Sequence, residues 1–140
     1  MRTISRIIVH HSASPPDTTT LEDIDRWHRS RGFNGAGYHF VCEADGRIRK
    51  GRPIAQHGAH AKGANRDSVG ICIVGDNTRE NERWTEAQRF ALVDLVDALR
   101  LVFGPLPVLR HRDVAATECP GLDDAEWTAL VAGLGKNGGS

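Results

Sequence analysis

Ile4-Ser5-Arg6-Ile7-Ile8-Val9-His10-His11 opens the chain with a short, β-branched run that stops on two histidines. The residues from Ile4 to Val9 suit a buried strand. Side chains alternate along a strand, so His10 and His11 leave it on opposite faces and cannot easily serve one ion together. A similar pattern stands near the other end. There Val108-Leu109 reads as a strand delivering His111 at its C-terminal end, and Cys119 follows eight residues later, stopped by Pro120-Gly121. Neutral imidazole and thiolate both suit a borderline-soft ion such as Zn²⁺, and a catalytic zinc takes three protein ligands and leaves a fourth position to water. The pattern nominates His10, His111 and Cys119, with His11 as the competing donor. His57 and His60 form a further pair in a segment without regular spacing, where they either face a substrate or are merely solvated.

Between these ends the chain alternates strands and helices. Thr20 with Asp23 makes a weak capping box for a helix over 21–30, with Leu21, Ile24, Trp27 and His28 on one face and Gly32 as its stop. Phe33-Asn34-Gly35-Ala36-Gly37 is a glycine-rich turn. Tyr38 to Cys42 reads as a strand, and Glu43-Ala44-Asp45-Gly46 turns it into Arg47-Ile48-Arg49-Lys50 as an antiparallel hairpin. From Pro53 to Arg66 no period holds, and a loop this long in a compact domain is usually functional. Val69 to Val74 is a third core strand, ended by Gly75-Asp76-Asn77. Thr85 and Gln88 form a full capping box for an amphipathic helix of about 17 residues. Phe90, Leu92, Val93, Leu95, Val96, Leu99 and Val102 are expected inward, with Gly104-Pro105 as terminator. Asp123 starts a last helix with Trp127, Leu130 and Val131 inward. The expected fold is α/β, a single-domain mixed β-sheet flanked by helices, spanning 1–135, with 136–140 as a flexible C-terminal tail. In such open sheets ligands gather beyond the carboxyl ends of strands, where His10 and His111 both stand.

The totals bound the function. At 140 residues the chain makes one domain able to bury roughly two-thirds of its unfolded surface. Its 18 basic and 18 acidic residues cancel, which argues against a nucleic-acid binder dependent on phosphate neutralisation and gives no long-range pull toward an anionic membrane. Arg47, Arg49, Lys50 and Arg52 cluster on what reads as a solvated hairpin face. No stretch approaches the roughly 20 apolar residues of a membrane span, and the N-terminus lacks the apolar core of a signal peptide. Three cysteines form no even disulfide set; Cys42 and Cys72 lie in apolar strands as reduced core residues, whereas Cys119 sits in a polar loop. These features point to synthesis in a reducing cytoplasm.

Five blocks then carry a resemblance: Ile8-Val9-His10-His11-Ser12-Ala13, Gly37-Tyr38-His39-Phe40-Val41, His60-Ala61-Lys62-Gly63-Ala64-Asn65, Ser68 through Gly75, and His111-Arg112-Asp113-Val114 through Cys119-Pro120-Gly121. In order and with short gaps over about residues 4–127, they resemble the zinc-dependent N-acetylmuramoyl-L-alanine amidases of type 2. That family includes phage lysozyme-amidases and peptidoglycan recognition proteins. No single block is decisive, but five in register are specific.

The resemblance implies Zn²⁺ held by His10, His111 and Cys119, and Tyr38 facing the metal as a catalytic residue rather than only packing the core. It implies hydrolysis of the amide between N-acetylmuramic acid and L-alanine in bacterial peptidoglycan by a bacteriolytic, antimicrobial endolysin of phage lysis. A cytosolic amidase recycling soluble muropeptides is the alternative, and a non-catalytic binding module a third reading. Non-catalytic relatives typically lose the ligand cysteine, and this chain keeps it. Some phage relatives carry a lysine two residues before that cysteine, as a cationic donor to the oxyanion; here Thr117 stands there, able to donate a hydrogen bond without charge. No HExxH-type glutamate exists, so the general base stays open. Substrate contacts are expected from His60, Lys62, Asn65 and Arg66, the cations facing carboxylates of the peptide stem, although Asn65 can instead tie the loop backbone. Peptidoglycan or muropeptide is the expected partner, without nucleic acid or stable membrane association. The protein is expected to be a monomer, reaching the cell wall after release.

Overall fold

Strands buried on both faces and paired in parallel read as continuous apolar runs, and two such strands form the centre of this protein. The computed structural model describes residues 2–134. In chain order they form β1 (Arg6–His11), α1 (Leu21–Ser30), β2 (Phe40–Cys42), β3 (Ile48–Lys50), β4 (Ser68–Ile73), α2 (Glu86–Phe103), β5 (Val108–Arg110) and α3 (Asp124–Leu130), with short 3-10 turns at Asn65–Asp67, Glu80–Glu82 and His111–Asp113. One five-stranded sheet has the order β3-β2-β4-β1-β5. β1 runs parallel to both β4 and β5, β2 parallel to β4, and β3 antiparallel to β2, so the sheet is mixed and the hairpin closes one edge.

Alternation divides β1 and β4 between two cores. Ile7, Val9, Val69, Ile71 and Ile73 point to one face and pack with Leu92, Val96 and Leu99 of α2 and Leu130 of α3. Cys72 and Val74 point to the other, where α1 covers them through Ile24, and Ile8 meets Ala61 and Ala64 of the 53–66 loop. His10 shares this second face, while His11 is buried on the first side of the sheet.

The expected caps are present: Thr20, Thr85 and Asp123 each accept from the backbone N–H three residues on, and Asp23, Gln88 and Glu126 return the bond. Several boundaries and faces differ from expectation. β1 begins at Arg6 rather than Ile4 and includes both histidines, because His10 and His11 pair with Cys72 and Ile73 of β4. β2 begins at Phe40, two residues later than expected. Phe90 and Val102 of α2 are 58% and 73% exposed, and Trp27 of α1 is 38% exposed, so these three do not face the core. Each helix buries a narrower stripe than its apolar content allows. The 53–66 loop is irregular until the turn at Asn65, and the tail expected at 136–140 lies outside the described residues.

Gln88 joins α2 to the sheet. Fully buried, its amide nitrogen donates to the carbonyls of Cys42 and Val74, at 3.1 and 2.8 Å, where β2 and β4 end. Gln88→Ala removes both bonds, leaves a gap and strips the Val74 carbonyl of this donor. Equilibrium denaturant unfolding should show a loss of about 2–4 kcal/mol; a loss within error would mean that water or a neighbour replaces the amide.

Candidate active site

The parallel register brings the first two candidate ligands together. Val9 of β1 pairs with Arg110 of β5, so the next residues along, His10 and His111, emerge side by side at the carboxyl ends of adjacent strands. Their ring centroids are 4.5 Å apart. Cys119 arrives on the loop that follows the His111–Asp113 turn. That loop is held by Arg112 N–H donating to the Cys119 carbonyl (2.8 Å), by Gly121 N–H donating to the Glu118 carbonyl (2.6 Å), and by the Asn77 amide donating to the Pro120 carbonyl (2.9 Å). The Cys119–Pro120 peptide is cis. His11, the competing donor, is engaged elsewhere: its Nδ1 accepts from Asn77 N–H at 3.1 Å.

One donor atom from each of His10, His111 and Cys119 lies within 4.8 Å of the other two. The His10 Nδ1 to Cys119 Sγ distance is 3.6 Å. Ligands of a tetrahedral zinc stand roughly 3.3–3.7 Å apart, so one pair already has that spacing and the set closes with shifts of about 1 Å. Two imidazoles and one thiol also fit the ion chemically. Burial holds the His10 imidazole far below the usual histidine range, with the neighbouring His60 and His111 adding to the effect. Burial likewise lowers His111. Both rings are therefore neutral, as ligation requires. Burial pushes the Cys119 thiol up to about 11, so a metal must displace its proton, and binding should strengthen as pH rises.

A cleft of about 540 Å³ opens over these groups, lined by Tyr38, His60, Lys62, Asn65, Thr117, the three donors and, from α1 and its following turn, His28, Arg31 and Phe33. The Tyr38 ring is 5.0 Å from that of His10 and 5.4 Å from that of His28. Burial, then the neighbouring thiols of Cys72 and Cys119, holds its phenol well above the usual tyrosine range. It is a proton donor, not an anion. The Thr117 hydroxyl accepts from Cys119 N–H at 3.2 Å, which leaves its own proton free to donate. Lys62 is exposed at the cleft edge. Asn65 uses its side-chain oxygen to accept from His60 and Ala61 N–H, at 2.9 and 2.8 Å, tying the loop together. Arg66, expected beside them, is exposed and outside the cleft lining.

Sequence reasoning missed His28, Arg31 and Phe33 as site residues. His28 accepts from Gly37 N–H at 2.8 Å and so holds the glycine-rich turn that presents Tyr38. Its place on the inner face of α1 was visible, but nothing in the spacing tied it to Tyr38. Of the two expected cations, Lys62 and Arg66, only Lys62 lines the cleft; Arg31 lines it as well, and no motif marks it.

This fold and this constellation define a class: the chain belongs to the N-acetylmuramoyl-L-alanine amidase family, whose model matches residues 1–122. Among its relatives, the endolysin of Enterobacteria phage T3 is 35% identical over 129 residues, covering 89% of this chain and 85% of that protein. The solved structure of N-acetylmuramoyl-L-alanine amidase LysC from Clostridium intestinale URNW matches with a TM-score of 0.84 at 33% identity, covering 94% of this chain and 85% of that one. Drosophila PGRP-LB matches with a TM-score of 0.75 at 32% identity, covering 86% and 76%.

The buried histidines make stability depend on pH. Burial holds His39 at about 4 and His60 at about 3, whereas both return toward about 6.5 on unfolding. Below pH 6.5 the unfolded chain binds the extra protons, so stability falls as pH drops, by up to about 1.4 kcal/mol per pH unit for each histidine. Denaturant midpoints measured with chelator present should decrease between pH 7 and pH 5; a constant midpoint would show that neither ring is held neutral by the fold.

Proposed function

We propose that this chain cleaves the amide between the lactyl carbonyl of N-acetylmuramic acid and L-alanine in bacterial peptidoglycan, as an endolysin using Zn²⁺ held by His10, His111 and Cys119. The observation that carries the reading is the convergence of those three donors with Tyr38 and Thr117 in one cleft at the strand ends. When bound there, the ion supplies Lewis-acid polarisation of the scissile carbonyl and a water of lowered pKa. Identity of about a third to phage endolysins supports the lytic role over muropeptide recycling. Retention of Cys119 supports catalysis over binding alone.

The chain's own side chains supply the rest. Tyr38, un-ionised and half-buried, donates a hydrogen bond to the carbonyl oxygen as negative charge develops on it. Thr117 is a second donor there, weaker than a lysine because it brings no charge. Arg31 and Lys62 give the cleft two cations for carboxylates of the peptide stem. Phe33, packed edge-on against His28, gives the cleft an apolar wall. In this reading the protein is a monomer made in the cytoplasm, reaching the wall after release without stable membrane association.

Mass spectrometry of digested sacculi should reveal stems with free L-alanine amino termini; new reducing sugars instead would mark a glycosidase. Metal analysis should find about one zinc per chain, and chelation should abolish a lysis that Zn²⁺ restores. Cys119→Ser should remove activity while leaving the fold, and retained lysis would reassign the ligand. Tyr38→Phe should melt normally yet lose about 10²–10³ in kcat, whereas an unchanged rate would return Tyr38 to a packing role.

A further inference from the structure

Both ring nitrogens of His60 are engaged inside the protein rather than free for substrate. Nδ1 lies 2.7 Å from Nε2 of His10, and Nε2 lies 3.2 Å from the hydroxyl of Ser68. That hydroxyl is also 2.6 Å from the Ala64 carbonyl. A carbonyl only accepts and a serine has one hydroxyl proton, so the proton goes to Ala64. Ser68 Oγ must then accept from His60 Nε2–H. A neutral His60 protonated at Nε2 has a bare Nδ1, which accepts from His10 Nε2–H. Neutral His10 is left with its lone pair on Nδ1, the nitrogen that lies 3.6 Å from Cys119 Sγ. One carbonyl thus fixes the proton positions of three side chains.

The surroundings hold this arrangement sterically. Asn65 fixes the backbone from which the His60 ring hangs. The ring lies over Gly70 of β4, where an added Cβ would come within 2.5 Å of its Cδ2 and 2.6 Å of its Cγ. The His10 and His60 rings meet edge to face at 87° with centroids 4.8 Å apart.

We propose that His60, backed by Ser68 and the Ala64 carbonyl, is a positioning residue that sets the tautomer and ring plane of His10, so that Nδ1 is the metal donor. The inference rests on the metal-site reading above. Groups that orient a ligating histidine in this way typically contribute 10–100-fold to metal affinity.

The test is Zn²⁺ affinity of the full chain, by competition with a chromophoric chelator, together with the visible spectrum of the Co²⁺ form. His60→Leu, which removes the acceptor, should weaken Zn²⁺ about 10–100-fold and shift the cobalt–thiolate absorption. His60→Asn, which places an amide oxygen near the lost Nδ1, should recover most of the affinity. Wild-type affinity in His60→Leu, or equal loss in both variants, overturns the proposal. Imidazole ¹⁵N spectra of the unaltered protein give a check that needs no variant to fold. His10 and His60 should both carry their proton on Nε2, and finding His10 protonated at Nδ1 overturns the proposal. A wild-type chain that binds no zinc overturns the metal-site reading itself, an outcome distinct from wild-type binding in His60→Leu.

Discussion

β1 is hydrogen-bonded along both edges, to β4 on one side and β5 on the other, with every pair parallel. Two ladders constrain its register at once. Because side chains alternate, a slip of one residue would turn His10 into the α2 core and bring Val9 to the cleft. The apolar residues enforce the correct setting: Ile7 and Val9 are fully buried against α2, and Ile8 against Ala61 and Ala64. The position of His10, the first candidate donor, is thus a by-product of burying three aliphatic side chains, worth roughly 1.5–3 kcal/mol each. His111 follows from the same strand order, since β5 borders β1 alone and so sets His111 beside His10.

The two faces of the sheet have different tasks. The face under α2 and α3 is apolar and continuous and carries the larger share of the core. The opposite face has a smaller core under α1, and its remaining area is given to polar groups: His10, His28, His39, His60 and Ser68 are all buried. Each has a hydrogen-bond partner, as buried polar groups require. The stability of the first face supports the polar content of the second. Gln88 couples the two by tying the start of α2 to the ends of β2 and β4.

What could be read from the residues follows a physical division. Ile7 to Val9 and Val69 to Val74 announce core strands whatever surrounds them, and Thr85 with Gln88 announces a helix start by local hydrogen bonding. His10, His111 and Cys119 were legible as candidate donors because each stands at or beside the end of an element or bounds a turn. The end of β1 was misplaced because two polar histidines belong to it, and only their pairing with β4 reveals that. Phe90 and Val102 were misassigned because α2 is apolar around much of its circumference, so periodicity cannot choose the buried stripe. Arg31 and Phe33 reach the cleft through the placement of α1, a tertiary fact without local signature. His60 was visible as a polar residue in a functional loop, but its partner stands 50 residues away.

The hydrogen atom that serves as the side chain of Gly70 has a consequence for how variation in this chain would be interpreted. Residue 70 lies in the middle of a core strand, offers no functional group, and is skipped by any survey that replaces side chains with alanine only where there is a side chain to remove. Yet the space above it is filled by an imidazole. A single added methyl would leave the strand pairing and the three donors chemically intact while pressing on the ring behind the first of them. Natural or engineered variants at this position would therefore resemble defects of the proposed metal site, although none of its three candidate donors had changed.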